Sequence, residues 1–129
     1  MSIVNPEMEN CIEACQRCHQ HCWQAAMTQC LPLGGRHVEA DHFRLMINCA
    51  ELCETAANFM LSESPYSGPL CGVCADVCEA CADSCEHVGQ MEDCVQVCRA
   101  CARECRSMSG VLAGGRPTEQ RADAPSRRM

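Results

Sequence analysis

Lysine is absent from this chain of 129 residues, and aromatic rings are few: Trp23, Phe43, Phe59 and Tyr66. Aliphatic side chains are sparse outside residues 43–61. A conventional core cannot be assembled from what remains. The missing lysine and the net charge of −7 argue against nucleic acid as a partner, because such partners select basic surfaces. The acidity is concentrated: the segment from Gly110 onward is net positive through its arginines, which leaves the rest more acidic than the whole. No apolar run reaches membrane-spanning length. The opening MSIVNPEMENC lacks a basic n-region, an apolar h-region and a small-residue cleavage site. The compartment expected from this is a reducing cytosol, where clustered cysteines signal metal or catalysis more often than disulfides.

What the chain does have is 16 cysteines. As thiols they behave as small buried hydrophobes and can occupy core positions. That role does not explain so many of them, since leucine would pack a bundle better.

The periodicity is helical throughout and predicts an all-α fold. Asn5-Pro6-Glu7 reads as a helix start, with Asn as cap, Pro at the first position and acids in the first turn. The first helix is expected to run to about Cys30, where Leu31-Pro32-Leu33-Gly34-Gly35 breaks it. The second is expected from about Val38 to Ser62, the third from about Pro69 to His87, and the fourth from about Met91 to Ser109, stopped by Gly110. Short connections imply an antiparallel up-down-up-down four-helix bundle over residues 1–110. Residues 111–129, rich in Gly, Pro, Arg and Ala, read as a flexible C-terminal tail.

The cysteine spacings carry the functional argument. The first helix holds Cys11, Cys15, Cys18 and Cys22; the third holds Cys71, Cys74, Cys78, Cys81 and Cys85; the fourth holds Cys94, Cys98, Cys101 and Cys105. Steps alternate between 3 and 4, which places each set on one face, at the positions that line a bundle interior. The second helix contributes Cys49 and Cys53, and Cys30 falls on or near the first stripe. Neighbours at i and i+4 have Cβ atoms about 5–6 Å apart, whereas a disulfide needs about 3.8 Å. The pairs 11/15, 18/22, 49/53, 74/78, 81/85, 94/98 and 101/105 are therefore unsuited to disulfides within intact helices. A metal ion between the sulfurs relieves the mismatch, and thiolates select Cu(I), Zn(II) or iron–sulfur clusters.

Among these, Cu(I) fits best. It accepts two near-collinear sulfurs, so each pair can hold an ion. Each Cu⁺ displaces about one thiol proton, so a filled interior stays near neutral, and burying net charge is costly. Capacity on the order of one Cu(I) per cysteine follows, with His, Met or carbonyl ligands carrying any excess. Structural zinc wants closed four-ligand sites, and a continuous ladder exceeds that need. The ferredoxin run C-x2-C-x2-C-x3-C-P is not matched. The C-x2-C pairs lie within helices with no preceding strand, unlike thioredoxin motifs. The alternative reading is a zinc- or thiol-based sensor. No general base, nucleophile dyad or open catalytic metal site is visible, so an enzyme is not expected.

The set Cys11-x3-Cys15-x2-Cys18-x3-Cys22, Cys49-x3-Cys53, Cys71-x2-Cys74-x3-Cys78-x2-Cys81-x3-Cys85 and Cys94-x3-Cys98-x2-Cys101-x3-Cys105-Arg106-Ser107-Met108 resembles the bacterial cytosolic copper storage proteins over about residues 7–109. The resemblance implies a cysteine-lined bundle that sequesters Cu(I) in the cytosol and assembles as a homotetramer. The acidic charge and the lack of a spanning apolar run lead to the expectation of no nucleic-acid and no membrane partner. A copper chaperone or a small-molecule thiol is the expected donor. The exported branch of that family carries a twin-arginine signal, which the opening of this sequence does not show.

The two ends of such a bundle differ. One gathers Met8, Cys11, Met60, Cys71, Cys105 and Met108, and reads as an apolar plug. The other gathers Cys30, His37, His42, Met46, Cys85, His87 and Met91. His42 and Met46 extend the stripe of Cys49 and Cys53 by steps of 4 and 3. His42, Met46 and His87 are candidate ligands at a mouth where copper enters and leaves. His37 is a weaker candidate there, with a loop role as its competing reading. His19 and His21 flank the first stripe, about 100° to either side, and read as surface or helix-interface residues. Leu45, Leu52 and Phe59 recur every seven residues and read as interhelix packing or a face between protomers.

Overall fold

Where the 3-4 periodicity runs, helix forms: α1 (Pro6–Ala25), α2 (Ala40–Leu61), α3 (Ser67–Val88) and α4 (Glu92–Gly114). The computed structural model describes residues 6–114, with no strand among them. No helix among the described residues is long and apolar enough to cross a membrane. Each helix packs against its neighbours in the chain, and α1 closes the ring against α4. This is the antiparallel bundle expected from short connections.

Cysteine, alanine and methionine face inward in place of leucine and phenylalanine. All 16 cysteines are buried. Ala50, Ala57, Ala75, Ala82 and Ala102 are buried beside them. Helix separation follows the size of the side chains at the contact, about 8–10 Å between axes. Alanine at the seams keeps the helices close, so thiols from different helices meet on the axis. Phe43, Leu45, Leu52 and Val77 are only partly buried, packed against the outside of this core.

The end of α1 departs from regular geometry. The helix continues as a π turn, Ala26–Cys30, and then as one α turn, Leu31–Leu33. Proline is the physical reason. Pro32 has no N–H, and its ring crowds the carbonyl four residues back. The helix widens instead, and the Leu31 N–H donates to the Ala26 carbonyl, five residues back. The Thr28 hydroxyl donates to the Gln24 carbonyl at 2.7 Å, a bond that bends helices. Eight residues at about 100° each would leave Cys30 about 80° away from the Cys22 direction. The wider turn winds less per residue and returns Cys30 to the interior. Gly34 then adopts φ 66° and ψ −153°, a conformation essentially restricted to glycine. It leads into a 3-10 turn, Gly35–Val38, which carries His37.

Two helix ends differ from the sequence expectation. Helix α4 does not stop at Gly110 but continues to Gly114. Glycine in an exposed helix costs only about 1 kcal/mol relative to alanine, and Leu112 is partly buried against the core in compensation. It packs over Gly68, where an added Cβ would lie 3.2 Å from the Leu112 Cβ. Helix α3 begins at Ser67, before Pro69, with Tyr66 as N-cap. Proline is tolerated there because first-turn N–H groups lack helical partners anyway. The Asn5 cap and the tail from residue 115 lie outside the described residues.

Candidate metal centre

The inward stripes merge into one column of sulfur. Starting near the N-terminus of α1, Cys11 Sγ lies 3.8 Å from Cys105, and Cys105 lies 3.9 Å from Cys101. Cys101 is 3.8 Å from Cys53, and Cys53 is 3.5 Å from Cys78. Cys78 is 3.7 Å from Cys49, Cys49 is 3.9 Å from Cys22, and Cys22 is 3.5 Å from Cys98. The path crosses all four helices. Within single helices, Cys18–Cys22 and Cys74–Cys78 are 3.8 and 4.0 Å apart. These spacings are nearly twice a disulfide bond of about 2.05 Å. All 16 cysteines are free thiols.

Four sets of four thiols are compact enough to hold an ion: Cys15, Cys74, Cys101 and Cys105; Cys53, Cys74, Cys78 and Cys101; Cys18, Cys49, Cys53 and Cys78; Cys18, Cys22, Cys49 and Cys98. They share members, so the sites are not separate pockets. An ion in one set has sulfur within reach in the next.

The thiols are buried, and proton occupancy is shared among neighbours. The S–H groups of Cys105, Cys15, Cys18 and Cys53 hold the Cys101 thiol well below its usual pKa. Cys18, Cys22, Cys53 and Cys78 do the same for Cys49. The thiols of Cys15, Cys18 and Cys78 are pushed up, chiefly by their hydrogen bonds to Cys101 and further by burial. A soft cation entering the column therefore replaces protons that bridge sulfurs. The column then loses hydrogen bonds and gains metal–thiolate bonds with little change in buried charge.

Thioethers and imidazoles close the column. Met46 is fully buried, and its Sδ accepts from Cys81 at 3.6 Å and Cys85 at 3.5 Å. Cys94 is buried at the same end, where its hydrogen bond to Cys85 pushes the thiol up. Cys30 Sγ lies 3.6 Å from His42 Nε2, and burial pushes the Cys30 thiol up to about 11. His42 Nδ1 is 2.7 Å from Ser84 Oγ, and desolvation lowers the His42 pKa. His42 is thus held as a neutral donor. At the opposite end Cys71 donates to Met60 Sδ at 3.7 Å, and Met60 and Met108 are buried.

The histidines sort differently from the sequence expectation. His87 is exposed, and its contact to the mouth is made by its carbonyl, which accepts from Arg36 at 2.9 Å. His37 is instead buried and grouped with Cys30 and His42. Its position depends on the 3-10 turn, which has no signature in the hydrophobic period; the pair Gly34-Gly35 was the available hint. His19 sits at a helix interface, where its Nδ1–H donates to the Ala50 carbonyl at 2.8 Å. His21 lies on the other flank, half-buried. A cavity of about 330 Å³ between α3 and α4, lined by Cys85, Gly89, Gln90, Met91 and Val95, opens beside the His/Met end.

Fold and site together define a class: a four-helix bundle whose core is a continuous store of thiolate ligands. Comparison with known proteins narrows this. The profile of the copper storage protein family, Csp, matches residues 4–110. The chain belongs to the copper storage protein family. The crystal structure of the Nmul_A1745 protein from Nitrosospira multiformis is 54% identical, with TM-score 0.82, over 84% of this chain and 99% of that one. The Cu(I)-bound copper storage protein BsCsp3 is 36% identical, with TM-score 0.74, over 80% of this chain and 98% of that one. The apo form of copper storage protein 3 from Bacillus subtilis is 39% identical, with TM-score 0.66, over 78% and 97%. The uncharacterized cysteine-rich protein YhjQ of Bacillus subtilis (strain 168) is 38% identical over 69 residues, a match spanning 54% of this chain and 63% of that relative.

Proposed function

We propose that this chain stores Cu(I), holding many ions on the thiolates of its core. The observation that carries the reading is the unbroken sulfur path from Cys11 to Cys98, with steps of 3.5–3.9 Å and no disulfide. Family membership and the Cu(I)-bound state of BsCsp3 support it. All 16 cysteines are the proposed ligands, with His42 and Met46 as neutral, weaker donors at the mouth. His87 joins them only if its exposed ring turns inward. Ions reach the column at the His/Met end and pass inward from neutral donors to thiolates, whose higher affinity for Cu(I) makes the transfer downhill. The protein acts as a store and not as a catalyst.

The decisive measurement is an anaerobic titration of the reduced protein with Cu(I) against a competing chelator. Saturation on the order of one ion per cysteine is expected from the charge balance. Saturation at a few ions, or preference for zinc throughout the core, returns the reading to a metal or thiol sensor. Helix content should change little on loading, because the column is already assembled.

The store is proposed to be cytosolic and tetrameric, supplied by a copper chaperone or a small-molecule thiol. The half-buried row Leu45, Leu52 and Phe59 supports a face between copies. Light scattering tests the assembly, and cell fractionation tests the compartment.

A further inference from the structure

Three donors at the mouth stand apart from the sulfur column. Cys30 Sγ and one ring nitrogen each from His37 and His42 lie within 4.8 Å of one another, and all three residues are buried. Cys30 makes its close contact with an imidazole, where the other column thiols meet sulfur. The His37 and His42 rings meet edge to face, with centroids 6.3 Å apart. We propose that, before copper is loaded, Cys30, His37 and His42 at the mouth hold one divalent ion of the zinc type, with water as the fourth ligand.

An independent observation points to a ligand. His37 is 94% buried, being 6% exposed, yet its Nδ1 has no hydrogen-bond partner among the described residues. Buried polar atoms are nearly always partnered, so an orphaned nitrogen on a buried imidazole calls for an explanation. A metal ion supplies one. His42 is already oriented for it. When Nδ1–H donates to Ser84 Oγ, 2.7 Å away, Nε2 is left as the free lone pair facing Cys30. A hydrogen bond on the far nitrogen is the usual support of a metal-binding histidine.

The local backbone is also irregular where this site needs it. The π turn returns Cys30 to the interior, and Gly34, at φ 66°, leads into the 3-10 turn that brings His37 back over α2. A regular α-helix through residues 26–33 would aim Cys30 elsewhere. π turns inside α-helices are frequent at functional sites.

The donor set decides the kind of ion. Cu(I) prefers the thiolate pairs of the column and uses the imidazoles only in passing inward. Zinc accepts tetrahedral mixtures of nitrogen and sulfur. Electrostatics separates the two regions further. Zinc on four thiolates of the core would leave a buried charge of −2, which is costly. Zinc on one thiolate and two neutral imidazoles carries +1, and the Glu39 carboxylate, whose charge acts on His42, lies on the same side.

The proposal goes beyond copper storage and is tested on copper-free protein, so the two readings fail separately. One equivalent of Zn(II) is added to the reduced, copper-free full chain, and the zinc K-edge absorption is recorded. Two nitrogens, one sulfur and one further light atom are expected around zinc; an all-sulfur shell overturns the proposal. Zinc affinity is then read against a chelator. Cys30→Ser, His37→Ala and His42→Ala should each weaken binding on the order of 100-fold, and Ser84→Ala about 10-fold. Unchanged affinity in the three donor variants also overturns it. Circular dichroism checks that each variant keeps its helix content, and the absorption result on the unmodified chain stands even if one does not.

Discussion

At one end of the bundle Met8, Met60 and Met108 sit beside the terminal thiols Cys11, Cys71 and Cys105; at the other, Met46, His37 and His42 sit beside Cys30 and Cys85. The terminal donors are buried at both ends, but by different chemistry. The first is sealed by flexible apolar thioethers on regular helix ends. The second is sealed by the His37 ring on a 3-10 turn and the His42 ring on the first turn of α2, beside Cys30 on a π turn, with a cavity opening next to Cys85. A plug needs volume and apolar surface. A mouth needs ligands that hold an ion weakly enough to pass it on, and irregular backbone that can present them.

That contrast can be broken by mutation, and the largest expected effect is on stability at the methionine end. Met60→Ala or Met108→Ala should each destabilise the copper-free protein by about 2–5 kcal/mol, the usual cost of emptying a buried methionine site. Denaturant midpoints measure this. Copper capacity should stay the same, because the plug is not a store. The volume-conserving Met60→Leu should cost less than about 1.5 kcal/mol. A clear fall in capacity with that variant would make the plug a ligand site and erase the contrast.

Next in size is an effect on rates at the other end. His37→Ala combined with His42→Ala should change the rate at which Cu(I) passes to a chelator on the order of tenfold, equivalent to about 1.4 kcal/mol. Stopped-flow transfer of Cu(I) reads it directly. The Met60→Leu protein should transfer at the unmodified rate. Equal rates in all three proteins would mean that ions do not use the histidine end.

The smallest effect concerns pH. Burial lowers the folded pKa of His42 below its ordinary 6.5. Between the two values the unfolded chain binds more protons, so stability is present above about 6.5 and is lost as pH falls towards the folded value. Denaturant midpoints of copper-free protein between pH 5 and 7.5 should therefore decline on acidification, and His42→Gln should flatten that decline. At the alkaline side the sign reverses for Cys30. Its folded pKa lies above the unfolded value of 9.0, near 11, so stability present below 9.0 is lost as pH rises through that window. Cys30→Ser should remove that part of the loss.

Much of this molecule is legible from residue order. The inward faces of all four helices follow from steps of 3 and 4, because a helix turns about 100° per residue whatever its neighbours are. The stripes of Cys11 to Cys22 and Cys71 to Cys105 are inward as expected. Met46 is legible in the same way, as the next step beyond Cys49. Other features lie where that rule lapses. Cys30 faces inward as expected, but by way of the π turn, which leaves no mark in the apolar period. His37, and not His87, joins His42, because the fold-back of residues 35–38 is set by glycine dihedrals. Helix α4 overruns Gly110 because Leu112 finds a seat on Gly68, more than 40 residues earlier in the chain.

By itself, then, the sequence determined the fold class, the number of long helices and the chemistry of the core. Those are local properties: period, composition and the softness of sulfur. Only the tertiary structure decided which thiols from different helices come within 4 Å, which end carries the imidazoles inward, and that Cys30 turns from sulfur to His42. Those depend on the rotation and spacing of helices packed on small alanines. Contacts across a bundle are set by several helices at once, and no single stretch of sequence contains them.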